Sequence, residues 1–379
     1  MPNVLTKMIP DLYQALDVVS RELTGFIPSV ARNSNAERAA VDEAVIVPVS
    51  VPHALVDTAP SMTIPEPSDF STDNVAIKIT KSKSYSFGLN GEEYRGLENG
   101  VGANSILQGN IQQGLRVLCN EIEQDIAAEA ALGGHVYGTA GTTPFASNLA
   151  DAAEIRKILD DAGTPAGERS LVINTSAGVN LRKLTQLTNV DNAGTSMTLR
   201  QGELLPLFNL SVKESAGIKS FTKGDATGLT VVAASKGAKE LTAKAVTSGA
   251  LKAGDIITIA GSSTKYIVAE APATLAAGAK FKINVGLDAD AAEGAAVTVV
   301  NNGYRNVAFT RSAVQLVTRA PALPGGMDAA IDSSIIQDPR SGLAFEVRVY
   351  EGYRKMRMEL ACAWGVKTIK PEHVAVLLG

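Results

Sequence analysis

The chain has 379 residues, 45% of them hydrophobic and 20% charged, which excludes a disordered polymer and allows two or three domains at roughly 150 residues each. Lys+Arg 35 against Asp+Glu 39 leaves a net charge of −4, which excludes a strongly basic chain whose affinity rests on neutralising phosphates, though not one that encloses nucleic acid without gripping it. Cys119 and Cys362 are the only cysteines, so neither a disulfide framework nor a Cys-based zinc site is available, and no apolar run reaches the ~18 residues of a membrane span.

Asp11 and Asp17 fall where a signal peptide needs an apolar core, so the opening residues read as cytosolic rather than exported. Residues 10–24 read as an amphipathic helix: Pro10 suits its start, Leu12, Leu16, Val19 and Leu23 recur near helical spacing, and Gly25 suits its end. Residues 28–40 are polar and irregular, so the chain opens as a helix on a tether. Pro48, Pro52, Pro60, Pro65 and Pro67 then make 44–72 extended and turn-punctuated. From Asn74 to Phe87, Val75, Ile77 and Ile79 alternate with Lys78 and Thr80. Lys81, Lys83, Tyr85 and Phe87 keep the two-residue period, which predicts a strand with one polar face. Together 45–90 read as a long β-hairpin or extended loop. Such a segment is barely stable alone and needs support, either from the chain's own core or from a neighbouring subunit.

Asn104 to Leu132 is the strongest element. Leu107, Ile111, Leu115, Leu118, Ile122 and Ile126 form a sustained apolar stripe, Asn104 suits the N-cap, and Gly133-Gly134 stop the helix. At roughly 1.5 Å per residue this is a rod of ~44 Å. Residues 151–163 form a shorter helix, with Asp151 and Glu154 at capping-box spacing and Gly163 at its end. Leu171 to Ile173 is a short buried strand, and Ser176 to Leu187 another helix with Val179, Leu181, Leu184 and Leu187 near one side. The Gly-rich first turn of a doubly wound nucleotide fold is missing.

Between Arg200 and Arg305 there is no arginine, and 222–302 are rich in Ala, Gly, Thr and Val. Short strand-like runs at 229–232, 256–259, 266–268, 281–285 and 297–300 are separated by turn residues, which predicts an inserted small β-barrel or sandwich, or else an elaborated loop of the host domain. Ala308-Phe309 and Val314–Val317 read as strands, 320–326 as a loop, and 345–350 and 356–360 as alternating strands. Gly365 and Pro371 set off a last strand, Val374–Leu378, so the closing part is antiparallel β and the fold class is α+β.

Chemical motifs are absent. His53, His135 and His373 are too dispersed for a local metal motif. There is no Walker A loop, GxGxxG, GxSxG or HExxH. Asp288 and Asp290 begin like a calcium loop but lack its Gly and terminal Glu, and Asp160-Asp161 read as solvated. The reading is of a protein that is not an enzyme and has no cofactor.

The ordered set of elements resembles the major capsid protein of tailed bacteriophages, the Hong Kong 97-type fold, and more narrowly the podovirus coat-protein branch with an inserted domain. The phrases that carry the likeness are Leu12 to Leu23 followed by Gly25-Phe-Ile-Pro28, Gly254 to Gly261, Phe309 to Val317 followed by Ala320 to Pro324, Val349 to Tyr353, and Trp364 to Lys367. The likeness covers essentially the whole chain. It implies an N-terminal arm at 1–43, an extended loop at 44–103, and a peripheral domain at 104–190 and 330–379 with its spine helix at 104–132. It further implies an axial domain at 191–221 and 303–329 and an inserted β-domain at 222–302. The implied function is self-assembly, through hexamers and pentamers, into an icosahedral shell in the host cytoplasm. The implied partners are other copies of the chain, a scaffolding protein, a portal and a decoration protein. The implied content of the virion is double-stranded DNA, held without sequence-specific binding and without a membrane.

Structural positions stand in place of catalytic ones. Gly88, Gly91, Gly96, Gly100 and Gly102 cluster between the extended loop and the long helix and read either as hinges for shell expansion or as plain turn glycines. Glu92, Glu93 and Arg95 read either as intersubunit partners or as a solvated cluster. Lys78, Lys81 and Lys83 form a cationic strip that faces either solvent or an acidic neighbour. Three other readings compete. An encapsulin-type nanocompartment shell would share the fold, and the gene neighbourhood would separate it. A β-rich surface adhesin would need a signal peptide. An enzyme would need a pocket of converging titratable groups.

Overall fold

The computed structural model describes residues 12–19, 25–50, 72–92, 103–188, 206–326, 328–338 and 341–379, with isolated positions between them. Among the described residues, two sheets, one barrel and a ribbon account for the strands. The larger sheet runs β1 (Ala31–Ala39), β15 (Val314–Pro321), β18 (Lys355–Thr368), β17 (Ala344–Gly352), β16 (Ala330–Gln337), with β4 (Lys81–Asn90) also paired to β18. Residues 355–361 of β18 pair with both β4 and β17, and 363–364 with both β4 and β15. A strand has two edges, so β17 and β15 share one edge of β18 in succession while β4 holds the other.

Alternation along these strands decides which face is apolar. Phe345, Val347 and Val349 of β17 and Met358, Leu360, Cys362 and Trp364 of β18 point into the largest core. Across it lies helix α2 (Ala103–Ala130, 28 residues), whose Ile111, Leu115, Leu118, Ile122 and Ile126 are buried as the apolar stripe predicts. Residues 12–19 form helix α1. It is not tethered free of the body: Leu12, Ala15, Leu16 and Val19 are buried in this same core. The polar stretch after it is not irregular either. Residues 31–39 form β1, which pairs in parallel with β15 from Ala31↔Gln315 to Ala39↔Pro321.

The second sheet runs β5 (His135–Tyr137), β19 (Val374–Leu378), β14 (Arg305–Thr310), β6 (Arg169–Ile173), β7 (Ser211–Glu214). Helices α3 (Ala150–Asp161) and α4 (Thr175–Lys183) pack on it, with Ile155, Leu159, Ala177 and Leu181 in its own core, and a short α5 (Thr185–Thr188) follows. Asn174 caps α4 by accepting from the Ala177 N–H at 2.9 Å. Val179 is exposed, not part of the buried side. Asp151 makes no capping box: its carboxylate accepts from the Phe145 N–H at 2.8 Å, while the N-cap position is Leu149. Strand pairing therefore joins β5, β6 and β7 to β14 and β19, while Val172, Val307, Phe309 and Val374 of this sheet also reach the core beneath α2.

Between β7 and β14 the chain closes a six-stranded barrel in the order β10 (Ile256–Ile259), β11 (Lys265–Glu270), β12 (Lys280–Ile283), β9 (Glu240–Ala245), β8 (Leu229–Val231), β13 (Ala295–Val299). Its core holds Leu229, Val231, Leu241, Ile257, Ile259, Val268, Phe281 and Ile283. The outward-facing Ile256 and Ile267 pack on Val376 and Leu378 of the second sheet. Asn284 seats the barrel on the end of α2 by donating to the carbonyls of Leu132 and Gly133. The Arg305 guanidinium lies 3.6 Å from the centre of the Phe221 ring, where burial pulls its pKa down to about 10 against the opposing charge of Asp255.

Candidate assembly surfaces

The ribbon is β2 (Ala44–Ser50) paired with β3 (Thr72–Lys78), in register from Ala44↔Lys78 to Ser50↔Thr72. Pro48 is tolerated because β2 is an edge strand. The alternation read from 74 to 87 is one phase but two strands. At the break, the Ile79 N–H donates to the Glu43 carbonyl at 2.9 Å and the Thr80 N–H to the Trp364 carbonyl at 3.0 Å. Ile77 and Ile79 are buried with Ala39, Val317 and Ala363, which roots the ribbon on the far face of the large sheet. Farther along, Ile46 is 65% exposed. Gly365 does not break β18. It lies inside the strand, and a Cβ there would come within 2.0 Å of the Lys78 carbonyl oxygen, so glycine lets the ribbon root approach.

At the root, α2 presents Glu121, Asp125 and Glu129 at successive steps of four. Lys81 Nζ lies 2.7 Å from Asp125 and 3.1 Å from Glu121, and Lys83 also pairs with Glu121. Burial opposes the charge on Lys81, but its hydrogen bonds to Asp125 and Glu121 outweigh it and raise its pKa. The bond from Lys83, followed by that from Lys81, holds the Glu121 carboxyl below its usual value against burial. Asp125 also accepts from the Trp364 indole N–H at 2.8 Å, and Glu129 from the Thr368 N–H at 3.2 Å. Two lysines of the expected strip are thus engaged within the chain, and Lys78 is exposed.

Gly88 pairs with Arg357 inside β4–β18, and the Gly91 N–H donates to the Arg354 carbonyl at 3.3 Å. Sterics demand glycine at neither position: an added Cβ makes ordinary contact at 3.5 Å at Gly88 and meets nothing within 4 Å at Gly91. Glu92 and Arg95 are exposed. Glu93, Gly96, Gly100 and Gly102 lie outside the described residues.

The sequence reading missed Glu123. Its carboxylate accepts from the Phe26 N–H at 2.7 Å, the Ile27 N–H at 2.9 Å and the Ser215 hydroxyl at 2.8 Å. One side chain on α2 therefore ties the turn after α1 to the segment after β7. A Cβ on Gly25 would stand 1.9 Å from that carboxylate. The available signal was a glutamate on the flank of an apolar stripe, between Ile122 and Ile126. Glu346 was missed as well. It is 1% exposed and takes both Arg38 guanidinium nitrogens, at 2.6 and 3.0 Å, which fixes the end of β1 across the sheet.

Among the described residues no group of three or more His, Cys, Asp or Glu could hold a metal, and no helix is long and apolar enough to cross a membrane. Burial pushes the Cys362 thiol up to about 12, which removes it as a nucleophile. The Asp288 carboxylate, held down to about 2, accepts from the hydroxyls of Thr264, Tyr266 and Ser262 at the barrel surface and leaves Asp290 to accept from the Lys236 N–H.

No family model matches the chain, and no curated protein does. Solved structures do. The capsid of the cyanophage P-SCSP1u shares 13% identity over 94% of this chain and 88% of its own, with a TM-score of 0.47. A virus-like particle from Pyrococcus furiosus shares 9% over 97% and 98%, with a TM-score of 0.46. The mature capsid of bacteriophage PhiM1 shares 10% over 94% and 86%, with a TM-score of 0.45. Each of the three is described as a capsid or a virus-like particle.

Proposed function

We propose that the chain is a structural, non-catalytic major capsid protein of a tailed bacteriophage. Its copies assemble through hexamers and pentamers into an icosahedral shell around double-stranded DNA. The observation that carries this reading is the ribbon. Its root is buried on the chain's own sheet, while its two strands pair with no strand but each other among the described residues and expose Ile46. A two-stranded ribbon is marginal in water, and a neighbouring copy would supply the missing support. Repetition of such weak contacts around a closed shell yields high avidity.

In this reading α2 is the spine of a peripheral domain with the large sheet, the second sheet with α3 and α4 is the axial domain, and the barrel is the inserted domain. Lys78 and, where they reach a neighbour, Glu92, Glu93 and Arg95 are the contact candidates on the extended loop. The glycines from 88 to 102 are candidate hinges. Assembly proceeds with a scaffolding protein and a portal in the host cytoplasm. The net charge of −4 keeps the wall from gripping packaged DNA.

Electron microscopy of the purified chain, alone and with the product of a neighbouring scaffold-like gene, tests the proposal. Closed shells, tubes or capsomer rings are expected. A monodisperse monomer under both conditions, at micromolar concentration and across salt, would overturn it.

A further inference from the structure

The end of β1 is held differently from its start. From Ala31 to Ser34 the strand runs in register with Gln315 to Thr318 of β15. The register then lapses and resumes only at Arg38↔Ala320 and Ala39↔Pro321. Asn35 and Glu37, in the lapse, are exposed. Beyond the lapse the Arg38 side chain fastens the strand. Its Nη1 donates to the Pro321 carbonyl at 2.8 Å, and its two terminal nitrogens take both oxygens of Glu346. Ala39 is buried, and its carbonyl accepts from the Ala322 N–H at 3.1 Å. The ribbon strand β2 begins at Ala44, so this fastening stands at the entry to the ribbon.

Glu346 has a second arginine beside it. Arg348 is two residues farther along β17, on the same face by alternation, and is 6% exposed. Its Nη1 lies 3.6 Å from Oε1 of Glu346 and 3.1 Å from Oδ2 of Asp328. Yet Nε and Nη1 are both buried and make no hydrogen bond. Asp328, on the loop between β15 and β16, accepts instead from the Tyr350 hydroxyl at 2.8 Å. Arg348 is thus a buried guanidinium with unused N–H groups, next to a carboxylate whose two oxygens another arginine already holds.

We propose that Glu346 is a two-position acceptor. Arg38 holds it while the end of β1 is docked, and Arg348 takes it when that end lifts, which makes residues 35–39 a releasable clip at the entry to the ribbon. Breaking a buried ion pair is costly chiefly because one charge is left without a partner. Here the carboxylate left behind turns to Arg348, which gains hydrogen bonds that it lacks in the docked state. Arg38, whose side chain is 31% exposed when docked, passes to water. The exchange of partners takes place within one chain, so the inference stands apart from the capsid reading.

Native-state hydrogen exchange of the full chain, followed at residues 38–39 and Ala322 against residues 314–318 of β15 in the same sample, is the test. If Arg348 only braced the docked state, its loss would speed exchange at the clip. A two-position acceptor requires the opposite. Arg348→Met should slow exchange there at least ~10-fold, because lifting would then leave Glu346 buried without a cation. Asp328→Asn, an isosteric change on a loop, frees Arg348 for Glu346 and should speed exchange at the clip by about 3-fold, the scale of one partly exposed ion pair. Faster or unchanged exchange in Arg348→Met would overturn the proposal. So would slower or unchanged exchange in Asp328→Asn, which decides the matter alone if the first variant does not fold.

Discussion

The barrel and the ribbon are both β-structure, and they solve the problem of exposed edges in opposite ways. The barrel closes on itself, so each of its six strands has two neighbours and its apolar side chains point at one another. Among the described residues the ribbon has two strands, each with an unpaired edge, and its fully buried side chains lie at its root. The difference teaches that the barrel carries its stability within it, whereas the ribbon borrows stability from whatever lies beneath it. A chain that keeps both has a closed module and an open one, and the open one is where the proposed shell would find its contacts.

The largest effect should come from the closed region. Phe281→Ala opens a cavity in the barrel core and should cost about 3–5 kcal/mol, read by chemical denaturation. The same experiment on the ribbon should give a smaller loss with a different signature. Gly365→Ala forces the Lys78 carbonyl away and should cost about 1–3 kcal/mol, with the main change a faster proteolysis of the ribbon while the barrel stays protected. Equal protection of both regions in both variants would erase the distinction. Glu123→Gln should cost about 1.5–3 kcal/mol and release hydrogen exchange at Phe26 and Ile27 before any other site.

Two smaller effects sharpen the comparison. Asp288 has a folded pKa of about 2, below its ordinary ~3.9, so its stabilisation is fully present above pH ~4 and is lost as pH falls towards 2. Exchange of β10 and β11 should accelerate over that window in the natural chain and not in Asp288→Asn. Lys83→Ala removes a half-exposed pair and should cost no more than about 1 kcal/mol, less in high salt. Gly88→Ala and Gly91→Ala should leave monomer stability nearly unchanged. The hinge reading expects them to slow shell expansion, followed by light scattering on heating.

How much of this was legible depended on side-chain size. The stripe from Ile111 to Ile126 announced α2 because large apolar residues at steps of three and four leave one reading. β9 did not announce itself, since Glu240–Ala245 puts Leu241 and Ala243 inward and small alanines carry little strand signal. β1 was invisible because six of its nine residues, Ala31 to Ala39, are polar and the other three are alanine; it is held by Arg38–Glu346 and the Ser34 hydroxyl, which are contacts with residues some 300 positions away. The strip of Lys81 and Lys83 was found, but its acidic partners sit on α2 of the same chain, and no local pattern states that pairing. Gly365 was misread as punctuation because close approach of a distant backbone leaves the same letter as a turn.

The most direct test of the central claim is cryo-electron microscopy of the assembled chain at a resolution that traces the ribbon. The account predicts closed shells in which the outer part of β2–β3, Ile46 included, lies on an adjacent copy. Particles in which every ribbon folds back on its own chain, or a preparation that stays monomeric with its scaffold present, would contradict it.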